Sequence, residues 1–514
     1  MNRRADLSRI SFHRTRLRRQ LESARPTDFF KMIWAADALI TGREDSAKGM
    51  MSWPGSKKDF EFNGKHWFPR WELEHLLNEY LVVSPQNTHK RYLDCTQWAS
   101  FIDCLNKYRR FSNAESVKDH EPAEITEALS RLFIPQMRWQ AGWSNYRVLN
   151  RYWRIYLFED SNEYFRAKSG ISMVDAIKAS FAAFAACQTH PAFLIDADYS
   201  ALGIGAQTNE ALSHCFGKNI SEMRVFARKI RQGTTISDFK RSPIREFPII
   251  RHNENDRKIG FLPIPELLLA RASDGLYFDC VTDPNIRRLA GKAFEKYSFG
   301  LLDHFISSTH SISFEIEYAN KKSPDILAFR RDDQQLALIV ECKARRIPVD
   351  VLQSASPRRD YPDVYGDIVK GFVQIWGFVS DCRNNRVGAV HHALASNPRG
   401  VLLTLDPWLV VGKQITAMVR AEANRLADRS GISVENRVPV TVVSTQDWER
   451  CLSAFSLDRI LQGIDAHCHK DYFGYMLDTT IENATGKGRD EITPFPWKES
   501  LHEHVPWFQN FDNS

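Results

Sequence analysis

The chain has 514 residues and lacks any apolar run near the roughly 20 residues that a membrane-spanning helix needs. Its longest such stretch, GVLLTLDPWLVVG (Gly400–Gly412), is interrupted by Asp406 and Pro407, so no membrane association is expected. Cysteine is sparse. Nine thiols are scattered with no CxxC pair, which predicts reduced side chains in a cytoplasmic protein and excludes a disulfide scaffold. No GxxxxGK[ST] occurs, so nothing points to an NTP-driven motor. Fixed-period repeats and low-complexity segments are absent, which excludes solenoids and propellers. The opening residues MNRRADLSRISFHRTRLRRQ hold no apolar stretch of the kind a secretory signal requires. What is present is 43% hydrophobic, 26% charged and 12% aromatic, an ordinary globular composition. A chain of this length predicts roughly two to four domains with cores that need no metal or disulfide to fold.

Charge is unevenly placed. The formal net charge is +6, and residues 1–25 hold eight arginines against Asp6 and Glu22. The rest of the chain balances at 61 basic and 61 acidic residues. Residues 1–26 therefore read as a basic arm able to neutralise phosphates, or as a solvated helix face or a contact for an acidic partner.

Residues 27–240 show mostly helical periodicity, as in WELEHLLNEYLVV (Trp71–Val83), AEITEALSRLFI (Ala123–Ile134) and MVDAIKASFAAFAA (Met173–Ala186). Strand signals are few there, apart from a short one around Phe193. This half is expected to be a helical recognition domain, with a partner subunit as one thing it engages. Residues 241–283, rich in proline and polar clusters, read as a bridge. From residue 284 the elements alternate. A helix fits Asn285–Ile306, and strands fit Ile312–Ala319, Pro324–Arg330 and Leu336–Ala344. Then come helix Asp367–Ser380, strand Val401–Asp406, helix Gln414–Ser430, strand Val438–Ser444 and helix Thr445–Gln462. That order predicts an α/β domain with a mixed sheet flanked by helices over 284–470, followed by a polar, aromatic, packed tail over 471–514.

The segment SPDILAFRRDDQQLALIVECKARR (Ser323–Arg346) carries the chemistry. Leu336–Val340 is wholly apolar, as a strand buried on both faces would be. Glu341 and Lys343 follow it on one face while Cys342 faces away. Asp325 opens the preceding strand of the same hairpin. Charges at the end of a buried strand are costly unless they pair or ligate a metal. Asp325 and Glu341, with the Cys342 carbonyl between the two motif side chains, suit Mg²⁺ or Mn²⁺, and Lys343 suits orientation of a water or stabilisation of phosphoryl charge.

Pro324-Asp325 with Glu341-Cys342-Lys343 resembles the PD-(D/E)xK nuclease superfamily, which includes many restriction and repair endonucleases. The resemblance covers roughly Pro284 to Gln462. It implies a restriction-endonuclease-like core of helix, three antiparallel strands, helix and a further strand, after a mostly α-helical N-terminal domain. It also implies a catalytic or metal-placing role for Glu295 on the first helix, and auxiliary roles for Lys370 or Gln374 on the helix after the motif. The implied activity is metal-dependent hydrolysis of DNA, in a bacterial restriction or anti-phage setting, with oligomer formation common among such enzymes. Two other readings stand beside it: an inert nucleic-acid-binding or assembly subunit with the same fold, and a nuclease acting on RNA.

Arg345, Arg346, Arg358 and Arg359 flank the motif and fit either phosphate contacts or a solvated basic loop. Asp238-Phe239-Lys240 and Asp256-Arg257-Lys258 repeat the acidic-x-Lys pattern without a buried strand before it. His467-Cys468-His469 lacks a second ligand pair at zinc spacing, and His391-His392 reads as an ordinary polar pair. The aromatics and arginines of Arg138–Trp153 fit base stacking, or a core stripe with snorkelling arginines.

Overall fold

The computed structural model describes residues 3–84, 92–116, 146–232, 241–346, 363, 365–388, 393–407, 412–490, 492–497 and 505. These divide into two compact units, one holding the described residues up to Asp283 together with Val505, the other those from Pro284 to Trp497. The expected helix over Ala123–Ile134, residues 138–145 of the aromatic stretch, the 238–240 triplet, Arg358, Arg359 and His391-His392 lie outside the described residues. None of the described helices is long and apolar enough to cross a membrane.

Unit 1 begins with α1 (Arg3–Glu22), α2 (Pro26–Ile40), α3 (Arg70–Val82), α4 (Trp98–Ser116), α5 (Tyr146–Tyr156) and α6 (Met173–Ala186). The expected basic arm is instead a packed helix. Ile10, Leu17 and Leu21 form a buried stripe on α1 that lies against α4. Arg14 reaches across to the buried Glu115 carboxylate at 2.8 Å. At i, i+7, i+11 spacing those three apolar residues are enough to seat a helix whose other faces are basic.

The described residues of 27–240 are mostly helical, as expected, and add two three-residue strands, one at Phe193, to a four-stranded sheet that the expected bridge completes. Strands β1 (Ala192–Leu194), β2 (Gly217–Asn219), β3 (Ile249–Glu254) and β4 (Arg257–Phe261) pair in the order β1-β4-β3-β2, and α7 (Ile220–Arg231) follows β2. Two of these strands fall inside the expected bridge. That segment is part of the unit's core, with Ile249, Ile250, Phe261 and Leu262 buried. Asn255 and Asp256 both take positive φ (48° and 61°), so the Asp256-Arg257-Lys258 triplet opens in a tight hairpin turn. In α5, Leu149, Tyr152, Trp153 and Tyr156 are buried and Trp153 Nε1 donates to the Ala272 carbonyl at 3.3 Å, so this stretch is a core stripe.

Unit 2 is a mixed sheet between helices. It opens with α8 (Pro284–Ile306), β5 (His310–Phe314), β6 (Glu317–Tyr318), β7 (Lys321–Lys322), β8 (Ile326–Arg330) and β9 (Leu336–Lys343). Then follow α9 (Gly366–Arg383), β10 (Leu394–Thr404), α10 (Lys413–Arg429), β11 (Val440–Ser444), α11 (Thr445–Ala454), α12 (Leu457–His467) and α13 (Leu477–Thr485). The sheet order is β11-β10-β9-β8-β5. β5, β8 and β9 run antiparallel, while β10 and β11 are parallel to β9. The central β9 is buried from Leu336 to Cys342. Leu327, Ile339, Leu402 and Val440 pack against Phe372, Ile375 and Trp376 of α9 and Val419 of α10, so one face of the sheet is covered by these two helices.

Two expected elements are broken. The strand over Ile312–Ala319 ends at Phe314, because Ala319 and Asn320 adopt positive φ and fold Glu317–Lys322 into a separate hairpin. The helix expected over Thr445–Gln462 is two helices. Phe455 and Ser456 are extended, and Ser456 N–H donates to Asp490 Oδ2 at 3.0 Å. Among the described residues beyond 470 the tail is packed, as expected. α13 packs on α12 and α11, and Trp497 lies 5.2 Å from the Tyr297 ring.

Candidate active site

β8 and β9 place the acidic residues by register. Ile326 pairs with Val340, so Asp325 and Glu341 stand opposite each other one step further along. Asp325 Oδ2 accepts the Cys342 backbone N–H at 2.6 Å. A strand residue presents its N–H and C=O to the same edge, so the Cys342 carbonyl also faces the Asp325 side. The Cys342 thiol is on the other face of β9, where it hydrogen-bonds Ser298 of α8, and burial raises its pKa well above the ordinary thiol value.

Lys343 and Glu341 share the α9 face of the sheet. Lys343 Nζ donates to Glu341 Oε1 at 2.6 Å and to Gln374 Oε1 of α9 at 2.8 Å. α9 comes this close because residue 371 is glycine. A Cβ there would stand 2.0 Å from Leu402 Cδ1 and 3.4 Å from Lys343 Cε. Beside Lys343 opens a cleft of about 600 Å³, with Lys370 and Gln374 on one wall and Leu426 and Ser430 on another.

Glu295 reaches the same rim from α8. Burial, then the Asp325 and Glu315 carboxylates, push its carboxyl up to about 7. Asp325 is also pushed up to about 7, by burial first and then by Glu341. Burial raises Glu341 as well, against the pull of Lys343. Three acids thus crowd a half-closed rim with one lysine among them. Sequence reasoning missed Glu315, whose alternation within Ile312–Ala319 read as the outer face of a strand. It pairs with Lys322 and adds to the negative field on Asp325 and Glu295.

The hairpin before Asp325 is tied down. Asp381 on α9 is buried and accepts from Tyr318 Oη at 3.1 Å, Lys321 Nζ at 2.7 Å and Arg386 Nη1 at 3.2 Å. Ser323 N–H donates to the Ile316 carbonyl at 2.9 Å, closing the loop that leads into Pro324-Asp325.

The structure brings Asp325, Glu341, Cys342, Lys343, Glu295 and Gln374 together. Lys370 is exposed on the cleft wall, and Arg345 is exposed and paired with Asp367 at 2.8 Å. Arg346 is a correction. It is buried against Asp406 at 3.1 Å, so it is spent inside the protein rather than offered to phosphate. His467 is a core histidine held by Thr441 Oγ1 and the Tyr475 carbonyl, and burial drives its pKa down to about 4.

Among the described residues no three His, Cys, Asp or Glu side chains form a ready metal cage. Two carboxylates and a carbonyl instead match the sparse protein shell of a hydrated hard cation, whose remaining ligands are water and phosphate oxygen. The excess of acid over base at the rim fits such a cation. No protein-family model, curated protein or solved structure matches this chain.

Proposed function

We propose that unit 2 is a metal-dependent nuclease that hydrolyses phosphodiester bonds of DNA. The carrying observation is the surplus of acid at the rim: Glu295, Asp325 and Glu341 gather around Lys343, the charges of Lys292 and Lys322 do not offset burial at Glu295, and two of the carboxyls are pushed up to about 7. Buried like charges left uncompensated are costly and mark sites where charge arrives from outside. Support also comes from the element order, a helix, three antiparallel strands, a helix and a further strand, which is the order of the PD-(D/E)xK core.

Asp325, Glu341 and the Cys342 carbonyl would hold Mg²⁺ or Mn²⁺. When bound, such an ion polarises a phosphoryl oxygen and acidifies a coordinated water. Lys343 has three N–H donors. Glu341 and Gln374 take two, which fixes the ammonium and leaves the third for a phosphate oxygen or the attacking water. Glu295, with a carboxyl near 7, is suited to take a proton from that water at neutral pH. The low dielectric at the rim strengthens each of these interactions.

The test is a cleavage assay with Mg²⁺, Mn²⁺ or chelator on linear, circular and single-stranded DNA, with RNA as a parallel substrate. Cleavage that needs the metal and disappears in Asp325→Ala and Lys343→Ala is the expected result. Full cleavage by either folded variant sinks the assignment. Metal binding by calorimetry that is indifferent to Glu341→Gln, with no cleavage of any substrate, would establish an inert subunit instead.

A further inference from the structure

Unit 1 holds an exposed aromatic side chain, Phe62, at the edge of a ring cluster whose inner members Phe60, Phe68 and Trp98 are core. Residues 53–67 form a braced turn. Ser56 N–H donates to Asp59 Oδ2 at 2.7 Å, Gly64 N–H to the Glu61 carbonyl at 2.7 Å, and His66 N–H to the Asp59 carbonyl at 2.7 Å. Asn63 sits at φ 66°, and a Cβ on residue 64 would come within 2.4 Å of the Asp59 carbonyl oxygen, so glycine is needed there.

This turn holds Phe62 outward at 75% exposure, more than any other large hydrophobic side chain among the described residues. Its ring meets Trp67 edge-on at 5.1 Å. Behind Trp67 lies a cavity of about 290 Å³, walled by His66, Trp67, Phe68 and Trp98 with Lys65 among its lining residues. Of the local cations, Lys57 is paired with Glu44 and Arg109 with Glu72. Lys58 and Lys65 are exposed and have no ion pair among the described residues. Asp59 is consumed inside the turn, which leaves Glu61 as the exposed acid of this segment.

A ring held in water by a rigid turn loses hydration free energy and, in the chain itself, gains only an edge contact. Planar apolar faces next to ammonium groups match unpaired nucleobases linked by phosphates. A duplex keeps its base faces stacked internally and cannot use such rings. We propose that this platform binds single-stranded nucleic acid, with one base in the cavity beside Trp67 and Trp98, the next on Phe62, and phosphates on Lys58 and Lys65. The inference stands apart from the nuclease reading of unit 2, and either can fail without the other.

The test uses the full chain carrying Asp325→Asn, so that a bound strand is not cut. A short mixed-sequence DNA single strand is titrated while tryptophan fluorescence is followed, with the matching duplex as a second probe. Saturable quenching is expected. Phe62→Ala combined with Lys65→Glu should weaken it about tenfold, from one lost stack and a reversed phosphate contact. Both side chains are exposed, so an unchanged melting temperature should accompany the loss. Equal affinity in the double variant, no quenching, or equal binding of the duplex overturns the proposal. So does a dimer that Phe62→Ala dissociates while strand binding stays intact, because the platform would then be a contact between copies.

Discussion

Two buried charge clusters, one in each unit, look alike by residue type and differ in balance. In unit 1, Asp37 is fully buried and accepts from Arg70 Nε at 2.8 Å and Arg43 Nη2 at 2.6 Å, while Arg70 also bonds Glu266 at 2.8 Å. Two acids meet two guanidiniums there. Burial raises the Asp37 carboxyl against the pull of Arg70 and Arg43, whereas at Glu266 Arg70 overcomes burial and holds the group below its usual range. In unit 2 the acids outnumber the base, and Glu295 and Asp325 both rise to about 7. A cluster that neutralises itself ties α2 and α3 to the segment around Glu266. One that does not keeps a net negative charge, and the metal proposal rests on that excess.

The sharpest way to break this comparison is to remove one acid from each cluster. Asp37→Ala leaves buried Arg70 with Glu266 as its one remaining bonded acid in this cluster and should cost about 3–5 kcal/mol, read as a lowered denaturation midpoint. Asp325→Ala should do the reverse, with cleavage reduced about 10²–10³-fold or more and stability at pH 8 unchanged or raised. A loss of stability in Asp325→Ala as large as that in Asp37→Ala would make the two clusters equivalent and remove the functional distinction.

A smaller effect is expected at Gly371. Alanine there pushes α9 off Leu402 and disturbs Lys343, an overpacking cost of about 1–3 kcal/mol. Cleavage should fall by more than the loss of folded protein accounts for. If activity simply follows the folded fraction, α9 does not position Lys343.

The smallest effect is in pH. Asp325 and Glu295 have ordinary values of 3.8 and 4.5 and folded values near 7. Between about pH 4 and pH 7 the unfolded chain has lost protons that the folded chain keeps, so stability falls as pH rises through that window and levels above it. Glu295→Gln should flatten part of the slope; because Glu295 is half exposed, its share is the lesser one. Mg²⁺ should raise the melting temperature by about 2–4 °C at pH 8 and leave it unmoved at pH 5, where the carboxyls are protonated. An equal shift at both pH values points to a metal bound elsewhere.

Much of unit 2 was legible in one dimension. The aliphatic run Leu336–Val340 announced a buried strand, and its exit through Glu341 and Lys343 pointed to the rim where the structure gathers Asp325 and Glu295. The helices over Asp367–Ser380 and Gln414–Ser430 lie within α9 and within a residue of α10. The misses share a cause. Asn320 and Asn255 turn the chain through positive φ, and a hydrophobic pattern alone does not register a turn that short. Arg346 looked like its neighbour Arg345, and only the distant Asp406 distinguishes them. Glu315 took its place at the site because the strand stopped one residue before it.

The order of residues alone determined which side chains share a strand face and how the acidic, thiol and ammonium groups of β9 alternate, because strand geometry has a period of two. It also set the apolar stripe that turns an arginine-rich N-terminal segment into a seated helix. Tertiary structure alone decided which charges were satisfied. Whether a buried carboxylate meets a guanidinium, a lysine or another carboxylate depends on residues tens to hundreds of positions away, and Coulomb energy in a low-dielectric interior is set by those distances through space.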